Sequence, residues 1–171
     1  MAMKKKSEWI HIMRVLVVSD THRRNENYLR VLDREGPVDM VIHCGDSEGS
    51  EYLICESAGC PVHIVSGNND FFSELPREIE FEIGEYRVLV THGHNYYVSM
   101  GSETLKKYAK SKDKNLVFYG HTHRPVIDIE RDIIAVNPGS ISYPRQDGKK
   151  PTYVIMEIDK EGKAHFELRH L

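Results

Sequence analysis

Two histidines spaced two residues apart follow a short apolar run in the second half of the chain. The run covers residues 116–119, and Gly120 separates it from His121 and His123. An apolar run of this length that ends in glycine indicates a buried strand entering a loop. In an extended segment, side chains two residues apart point the same way, about 6.5 Å apart. Both imidazoles can then face one pocket and serve two metal ions held about 3.5–4 Å apart.

The histidine pair alone is equally compatible with an exposed loop that carries two unrelated histidines. The same arrangement, an apolar run that ends in side chains able to bind metals, occurs four more times upstream, at residues 15–22, 40–46, 62–70 and 88–94. Ligand groups in α/β sheets gather beyond the carboxyl ends of the strands. Five such junctions are therefore expected to bring seven side chains to one place: Asp20, His22, Asp46, Asn68, His92, His121 and His123.

The apolar runs also predict the elements that must position these residues. Helices are predicted over residues 25–35 and 47–57, each between two strands, and two successive strand–helix–strand units imply parallel strands with helices outside. Residues 78–83 and 86–91 predict a hairpin with a turn at 84–85. A further helix is predicted over residues 102–111, and the remaining strands over 126–130, 133–136, 153–158 and 164–168. This order of elements predicts an α/β fold.

Composition and length fit one ordinary globular domain. The chain has 171 residues, of which 40% are hydrophobic and 29% charged, and this length suffices to bury a core. Met13 and Arg14 stand directly before the first predicted strand. We therefore expect residues 1–12 to form an N-terminal extension and residues 13–171 to form the domain.

Charge and cysteine content limit the classes of partner. The formal net charge of −3 gives no general basic field, which disfavours a nucleic acid or an anionic membrane as partner. No window approaches the ~18 apolar residues of a membrane span. The three cysteines are odd in number and lack a Cys-x-x-Cys spacing, which predicts reduced thiols in a cytoplasmic protein.

The motifs, taken in order, resemble the signature of the calcineurin-like metallophosphoesterases. They are Asp20-x-His22, Gly45-Asp46, Gly67-Asn68-Asn69-Asp70, Thr91-His92-Gly93-His94 and Gly120-His121-Thr122-His123. Their spacing is similar to that of the small, YfcE-like single-domain phosphodiesterases, and the likeness runs from Met13 to nearly the end of the chain. The resemblance implies a four-layer α/β/β/α sandwich of two mixed sheets, with a dinuclear metal site at the sheet edge.

The same resemblance implies a role for each ligand. One metal ion would be bound by Asp20, His22 and His123, and the other by Asn68, His92 and His121. Asp46 would bridge the two ions. Nitrogen and oxygen ligands without thiolate suit two divalent transition metal ions, with manganese expected first and iron, nickel, cobalt or zinc as alternatives. Such ions lower the pKa of a bridging water, supply a hydroxide nucleophile and neutralise charge on phosphoryl oxygens.

The implied function is a metal-dependent phosphoric ester hydrolase, a phosphodiesterase that acts on small phosphodiesters. The alternative is a scaffold of the same fold that binds partner proteins without turnover, as the retromer subunit of this superfamily does. Scaffold relatives have lost metal ligands, whereas all seven candidates are present here, so the ligand set favours the enzyme. The sequence leaves both the physiological substrate and the formation of homo-oligomers open.

One position departs from the family pattern and affects the catalytic assignment. Many members have histidine after the metal-binding asparagine, as a proton donor to the leaving oxygen. Here that residue is Asn69, which can hydrogen-bond a phosphoryl oxygen but cannot protonate an alkoxide. We expect Asn69 to bind substrate, and Asp46 and His94 to be the catalytic residues, with a supporting or surface position as the alternative for His94. Arg124, before Pro125, is either a phosphate ligand or a solvated arginine.

Three further residues are expected to support the site. Asp70 is predicted to anchor the loop that carries Asn68. Asn137 is predicted to brace the metal-binding loops together with the amides of Gly139 and Ser140. His43 lies inside an apolar run, so we expect a hydrogen-bonded histidine of the core.

Overall fold

The computed structural model describes residues 12–171, and the predicted N-terminal extension therefore lies outside the described residues except for Ile12. The first half contains β1 (Met13–Val18), α1 (Glu26–Glu35), β2 (Met40–His43), α2 (Glu51–Ala58) and β3 (Val62–Ile64). The second half contains β4 (Glu78–Ile83), β5 (Tyr86–Thr91), α3 (Glu103–Ser111), β6 (Leu116–Phe118), β7 (Pro125–Ile129), β8 (Ile134–Pro138), β9 (Thr152–Ile158) and β10 (Ala164–His170). Two short 3₁₀ turns, His94–Tyr96 and Val98–Met100, connect β5 to α3.

Two five-stranded sheets contain all the strands of the described chain. The first has the order β10-β9-β1-β2-β3, with β1, β2 and β3 parallel and β9 antiparallel to both of its neighbours. The second has the order β4-β5-β6-β8-β7, with β5, β6 and β8 parallel and an antiparallel strand at each edge. Both sheets are mixed, and the predicted parallel crossovers from β1 to β3 are confirmed.

The core is divided into three layers by the two sheets. Val15 and Val17 of β1 pack with Val88 and Phe118 of the second sheet, so this cluster lies between the sheets. The alternate β1 residues, Leu16 and Val18, pack in a second cluster with apolar residues of α1 and α2. A third cluster joins α3 to the outer face of the second sheet. Because successive strand residues point to opposite faces, each sheet is covered on both sides, and the four-layer α/β/β/α sandwich is confirmed.

The predicted start of α2 at residue 47 is wrong. The helix begins at Glu51, and residues 47–50 form an irregular loop. Glu48 and Gly49 both have positive φ angles, of 53° and 84°, and such a backbone cannot continue a right-handed helix. The carboxylate of Asp70 maintains this loop, because it accepts a hydrogen bond from the Glu48 backbone N–H at 2.6 Å.

The loops that follow β1, β2, β3, β5 and β6 carry the seven candidate metal ligands. The strands belong to two sheets packed face to face, so the site lies where the carboxyl ends of both sheets meet. Among residues 12–171 the longest helix has ten residues, and none combines the length and apolarity that a membrane span needs.

Candidate metal centre

The backbone at the candidate ligands is strained. Positive φ angles occur at five of the seven: Asp20, His22, Asp46, His121 and His123. For a residue other than glycine, such a conformation costs about 1–3 kcal/mol of folding free energy, and these conformations cluster at functional sites. The loops are therefore shaped to direct these side chains inward at a cost in stability.

The first half of the site contains Asp20, His22 and His123. The Nε2 atoms of the two histidines lie 3.2 Å apart. Asp20 Oδ1 lies 3.1 Å from His123 Nε2 and 3.7 Å from His22 Nε2. Three ligand atoms at these mutual distances can surround one metal ion.

The second half contains Asn68, His92 and His121. The amide oxygen of Asn68 lies 3.0 Å from His92 Nε2 and 2.9 Å from His121 Nδ1. His92 is completely buried, whereas Asn68 is exposed. This half therefore opens to solvent on the side of Asn68.

Asp46 lies between the two halves. Its Oδ2 atom is 3.7 Å from His22 Nε2 and 3.4 Å from His92 Nε2. Asp20 Oδ1 also lies 3.9 Å from His92 Nε2. The structure thus brings all seven predicted ligands together, with Asp46 between the groups assigned to the two ions.

His121 and His123 reach the site by a different backbone from the one predicted. The expectation of an extended segment with both rings side by side is wrong, because both residues have positive φ angles, 70° and 58°. The Thr122 N–H also turns back to donate to Gly120 O at 2.8 Å. The two rings still enter different halves of the site, as predicted.

Each buried imidazole is oriented by a hydrogen bond on its other nitrogen. His92 Nδ1 bonds to Cys44 O at 2.7 Å, and His123 Nδ1 bonds to Tyr143 O at 2.7 Å. Backbone carbonyls only accept, so both rings carry the proton on Nδ1 and present a bare Nε2 to the site when neutral. Such partners fix the tautomer and orientation of metal-binding histidines.

Glu48 is a participant that sequence reasoning missed. Its Oε1 lies 2.6 Å from His22 Nδ1, so it orients that ring as the carbonyls orient the other two. The only signal in the sequence is that Glu48 stands two residues after Asp46. The loop bend between them, which directs its side chain back to His22, is not readable from residue spacing.

Asp70 anchors the loop of Asp46, as well as its own. Its Oδ2 accepts from the backbone N–H of Asp46 at 2.8 Å and of Gly67 at 2.7 Å. Gly67 must be glycine, because a Cβ atom there would stand 2.1 Å from Asp46 Oδ1. The expectation that Asp70 has an anchoring role is met by these contacts.

Asn137 and Ser140 brace the other loops. Asn137 Nδ2 donates to Gly120 O at 2.9 Å and to Thr122 Oγ1 at 3.0 Å. The predicted contact of Ser140 was through its backbone amide. Ser140 instead acts through its hydroxyl, which donates to Asp20 O at 2.9 Å. The predicted core role of His43 agrees with its complete burial and its contact with Thr21 Oγ1 at 3.1 Å.

The site concentrates negative charge on Asp20 and Asp46. Burial opposes ionisation of Asp46, but His92 and the amide donors of Asn69 lower its pKa to about 2. Burial likewise disfavours the charged form of His22, yet Asp20 and Glu48 raise its pKa to about 9. Burial also works against ionised Asp20, whose pKa is nonetheless held far below its usual range by His123 and His22. Both Asp20 and Asp46 are therefore ionised at neutral pH.

These residues fit a divalent transition metal ion. Asp20 Oδ1 is buried, and its near polar neighbours in the described chain include the Nε2 atoms of His123 and His22, which offer it no proton when these rings are neutral. An unpartnered buried carboxylate oxygen is costly unless a cation occupies the place beside it. Imidazole nitrogen with carboxylate and amide oxygen is a donor set for Mn²⁺, Fe²⁺, Co²⁺, Ni²⁺ or Zn²⁺.

The remaining predicted residues border this cluster. Asn69 binds Asp46, and one N–H of its side-chain amide remains for another acceptor. The ring of His94 lies 5.4 Å from that of His92 and 6.1 Å from that of His121, measured between centroids. Burial and the neighbouring imidazoles lower the pKa of His94. Arg124 is exposed and lines an adjoining groove, next in sequence to the candidate ligand His123.

Comparison with known proteins gives one consistent family. Residues 13–161 match the family profile described as the calcineurin-like phosphoesterase superfamily domain. A probable metallophosphoesterase of Methanocaldococcus jannaschii is 36% identical over 159 residues, which cover 91% of this chain and 80% of the relative. A second protein of that organism, named as a phosphodiesterase, is 30% identical over 145 residues, or 74% of this chain and 83% of the relative.

Solved structures give the same result for the fold. A predicted phosphoesterase from Streptococcus pneumoniae TIGR4 is 29% identical, with a TM-score of 0.76 over 94% of this chain and 99% of that one. An archaeal phosphodiesterase is 26% identical, with a TM-score of 0.69 over 92% and 100%. Vps29 of Entamoeba histolytica, solved with Zn²⁺, has a TM-score of 0.73 over 92% and 99%, and at 23% identity this likeness concerns the fold alone.

Proposed function

The chain belongs to the calcineurin-like phosphoesterase superfamily and is a phosphoester hydrolase, and from this premise we propose that it hydrolyses small phosphodiesters at a site for two divalent transition metal ions. The observation that carries the proposal is the position of Asp46 Oδ2, within 3.7 Å of a ligand nitrogen in each half of the site. Asp46 would then be able to serve both ions.

The proposed ligands keep the grouping implied by the family. Asp20, His22 and His123 hold one ion, and Asn68, His92 and His121 hold the other, with Asp46 shared. Manganese is our first choice for both ions. Two bound cations would supply an activated water and neutralise charge on the phosphoryl oxygens.

The chain's own residues would then orient the substrate and donate a proton to its leaving oxygen. The free N–H of Asn69 can donate to a phosphoryl oxygen while the other N–H holds Asp46. His94 stands nearest to the half-site of His92 and His121 and is the candidate donor to the leaving oxygen. The lowered pKa of His94 favours its neutral form at pH 7. Protonation of a basic leaving group by His94 would therefore be inefficient.

This arrangement predicts the preferred ester. An alkyl monoester leaves as a strongly basic alkoxide and needs a proton donor, whereas an aryl group leaves without one. A diester also carries less negative charge and repels an attacking anion less. An aryl phosphodiester should therefore be the best simple substrate.

The test uses metal-stripped protein supplied with one metal at a time. We expect Mn²⁺, Ni²⁺ or Co²⁺ to restore hydrolysis of bis(4-nitrophenyl) phosphate, with slower hydrolysis of 4-nitrophenyl phosphate and slowest of glycerol 3-phosphate. Elemental analysis should give close to two ions per chain. Protein that binds no metal and hydrolyses none of the three esters would overturn the proposal.

A protein-binding scaffold remains the second candidate, because Vps29 proteins share the fold. The seven proposed ligands argue for turnover, since a scaffold has no need of strained, converging ligand loops. A location in the cytoplasm is proposed from the three thiols, all of them free in the structure. We assign the activity to residues 13–171, with residues 1–12 as an extension.

A further inference from the structure

Two arginines line a groove beside the candidate metal centre. The groove has a volume of about 730 Å³, and Arg124 and Arg145 both border it. Its other walls include Val98, Met100, Tyr119 and Val126. It thus combines two guanidinium groups with an apolar surface.

The groove adjoins the proposed metal ligands through Arg145. That residue also lines a second pocket, together with His22, His123 and Tyr143. Its backbone N–H donates to His123 O at 3.0 Å, which fixes its position relative to a proposed ligand. A molecule bound in the groove could therefore extend past the Arg145 side chain into the candidate metal centre.

Neither guanidinium is paired with a carboxylate of the described residues. Four other arginines form ion pairs with carboxylates: Arg14, Arg23, Arg87 and Arg169. Arg124 and Arg145 have no carboxylate within 4.0 Å anywhere in residues 12–171. The chain has a net charge of −3, so two arginines in one groove, neither of them paired with a carboxylate in residues 12–171, form a local region of positive charge.

We propose that this groove binds a second phosphate of the substrate, whose scissile ester occupies the metal centre. The inference rests on the proposed function and gives it a substrate class, a small phosphodiester that carries another phosphate on an organic group such as a nucleoside. Arginine is suited to this task, since its planar donors match phosphate oxygens in pairs. The apolar wall formed by Val98, Met100 and Val126 would contact the organic group.

The experiment compares two esters with the same scissile bond. Thymidine 5′-(4-nitrophenyl phosphate) and its 3′-phosphorylated form both lose 4-nitrophenolate when water adds to phosphorus and the aryl P–O bond breaks. They differ only in the distal phosphate. We expect kcat/KM to be about tenfold higher for the 3′-phosphorylated ester, mainly through KM, on the scale of one charge-assisted hydrogen bond. Added salt should reduce this preference.

Substitutions assign the preference to the groove. The double variant Arg124→Gln/Arg145→Gln should lower the ratio of the two kcat/KM values to about one. Arg131→Gln is the matched control, because Arg131 is exposed and lies in the turn between β7 and β8, at the other end of β7 from Arg124. It should keep the ratio of the wild-type protein. Circular dichroism of each variant confirms that it is folded.

A binding measurement separates this inference from the proposed activity. Metal-free protein is titrated with thymidine 3′,5′-bisphosphate and with thymidine 5′-monophosphate, followed by amide NMR shifts. Tighter binding of the bisphosphate, lost in the double variant, supports the groove even if no ester is hydrolysed, and that result would refute only the proposed function. Hydrolysis of both esters with equal kcat/KM overturns the groove assignment and leaves the activity intact. Tighter binding of a single-stranded oligonucleotide than of the bisphosphate overturns the choice of a small substrate.

Discussion

Asn69 holds Asp46 with two N–H groups. Its backbone amide donates to Asp46 Oδ1 at 2.9 Å, and its side-chain amide donates to Oδ2 at 2.7 Å. The residue at which the sequence departs from the expected family pattern is therefore bound to the carboxylate proposed to bridge the two ions. This contact links the departure from the family pattern to metal binding as well as to proton transfer.

Replacement of Asn69 should weaken metal binding. Asn69→Ala removes the side-chain donor but leaves the backbone donor, and loss of such a supporting contact costs about 10–100-fold in metal affinity. Competition with a coloured chelator measures the affinity. Asn95→Ala is the control, because Asn95 is exposed in the neighbouring 3₁₀ turn and forms no side-chain hydrogen bond with any described residue. Equal metal affinity of Asn69→Ala and the wild-type protein would contradict the supporting role.

Loss of Asp46 should have a larger effect than loss of His94. Asp46→Ala deprives both half-sites of a ligand and should abolish metal-dependent turnover. His94→Ala should reduce kcat by at most about 10²–10⁴-fold, the range of a general acid, with metal content retained. Steady-state kinetics and elemental analysis of both variants check these outcomes. A near-normal kcat for Asp46→Ala would show that the dinuclear assignment is wrong.

A methyl group added at Gly67 should displace Asp46 and weaken metal binding. The added Cβ of Gly67→Ala would stand 2.1 Å from Asp46 Oδ1 and 2.6 Å from the Asp46 backbone nitrogen, so the loop must move. We expect weaker metal binding and a loss of about 1–3 kcal/mol in the free energy of unfolding. Urea denaturation and chelator competition measure the two effects.

Gly162→Ala is the control for this substitution. Gly162 has a φ of 81° and no atom within 4 Å of the added Cβ, and it lies in the turn between β9 and β10. Alanine there should cost about 1 kcal/mol of backbone strain without any change in metal affinity. If both variants bound metal as the wild-type protein does, the close approach of Gly67 to Asp46 would not control the site.

A buried carboxylate far from the site should make stability depend on pH. Glu35 ends α1, and its side chain accepts hydrogen bonds from Arg14, Tyr153 and Arg169. Burial opposes its ionisation, but these partners lower its pKa below the usual value. A group with a lowered folded-state pKa contributes stability above its unfolded pKa and loses it as pH falls through the folded value.

Glu35→Gln should accordingly destabilise the protein by about 2 kcal/mol at pH 7, the scale of hydrogen bonds to a charged group. The difference from the wild-type protein should shrink as the pH falls below the ordinary pKa of glutamate, about 4.3, because the wild-type carboxyl then becomes protonated. Urea denaturation at several pH values measures both. Glu56→Gln, an exposed position of α2, should change the free energy of unfolding little at any pH. A pH-independent cost of Glu35→Gln would contradict the charge argument.

Local patterns predicted most of the secondary structure. The hairpin of β4 and β5 has the predicted bounds, because Glu78–Ile83 alternates along one strand and Gly84 supplies a positive φ in the turn. The start of α2 could not be predicted in this way. Its loop is held by Asp70, about twenty residues further along the chain, and no local preference of residues 47–50 reports that contact.

The sequence by itself determined which side chains meet at the site, because apolar periodicity fixes the strands, and the carboxyl ends of parallel strands share an edge. Only the tertiary structure decided how those side chains are arranged. His121 and His123 approach the site through a left-handed backbone instead of the predicted extended one. The ring of His92 is oriented by Cys44 O, 48 positions away in the sequence. Ring orientation depends on contacts between distant loops, and such contacts exist only after both sheets have packed.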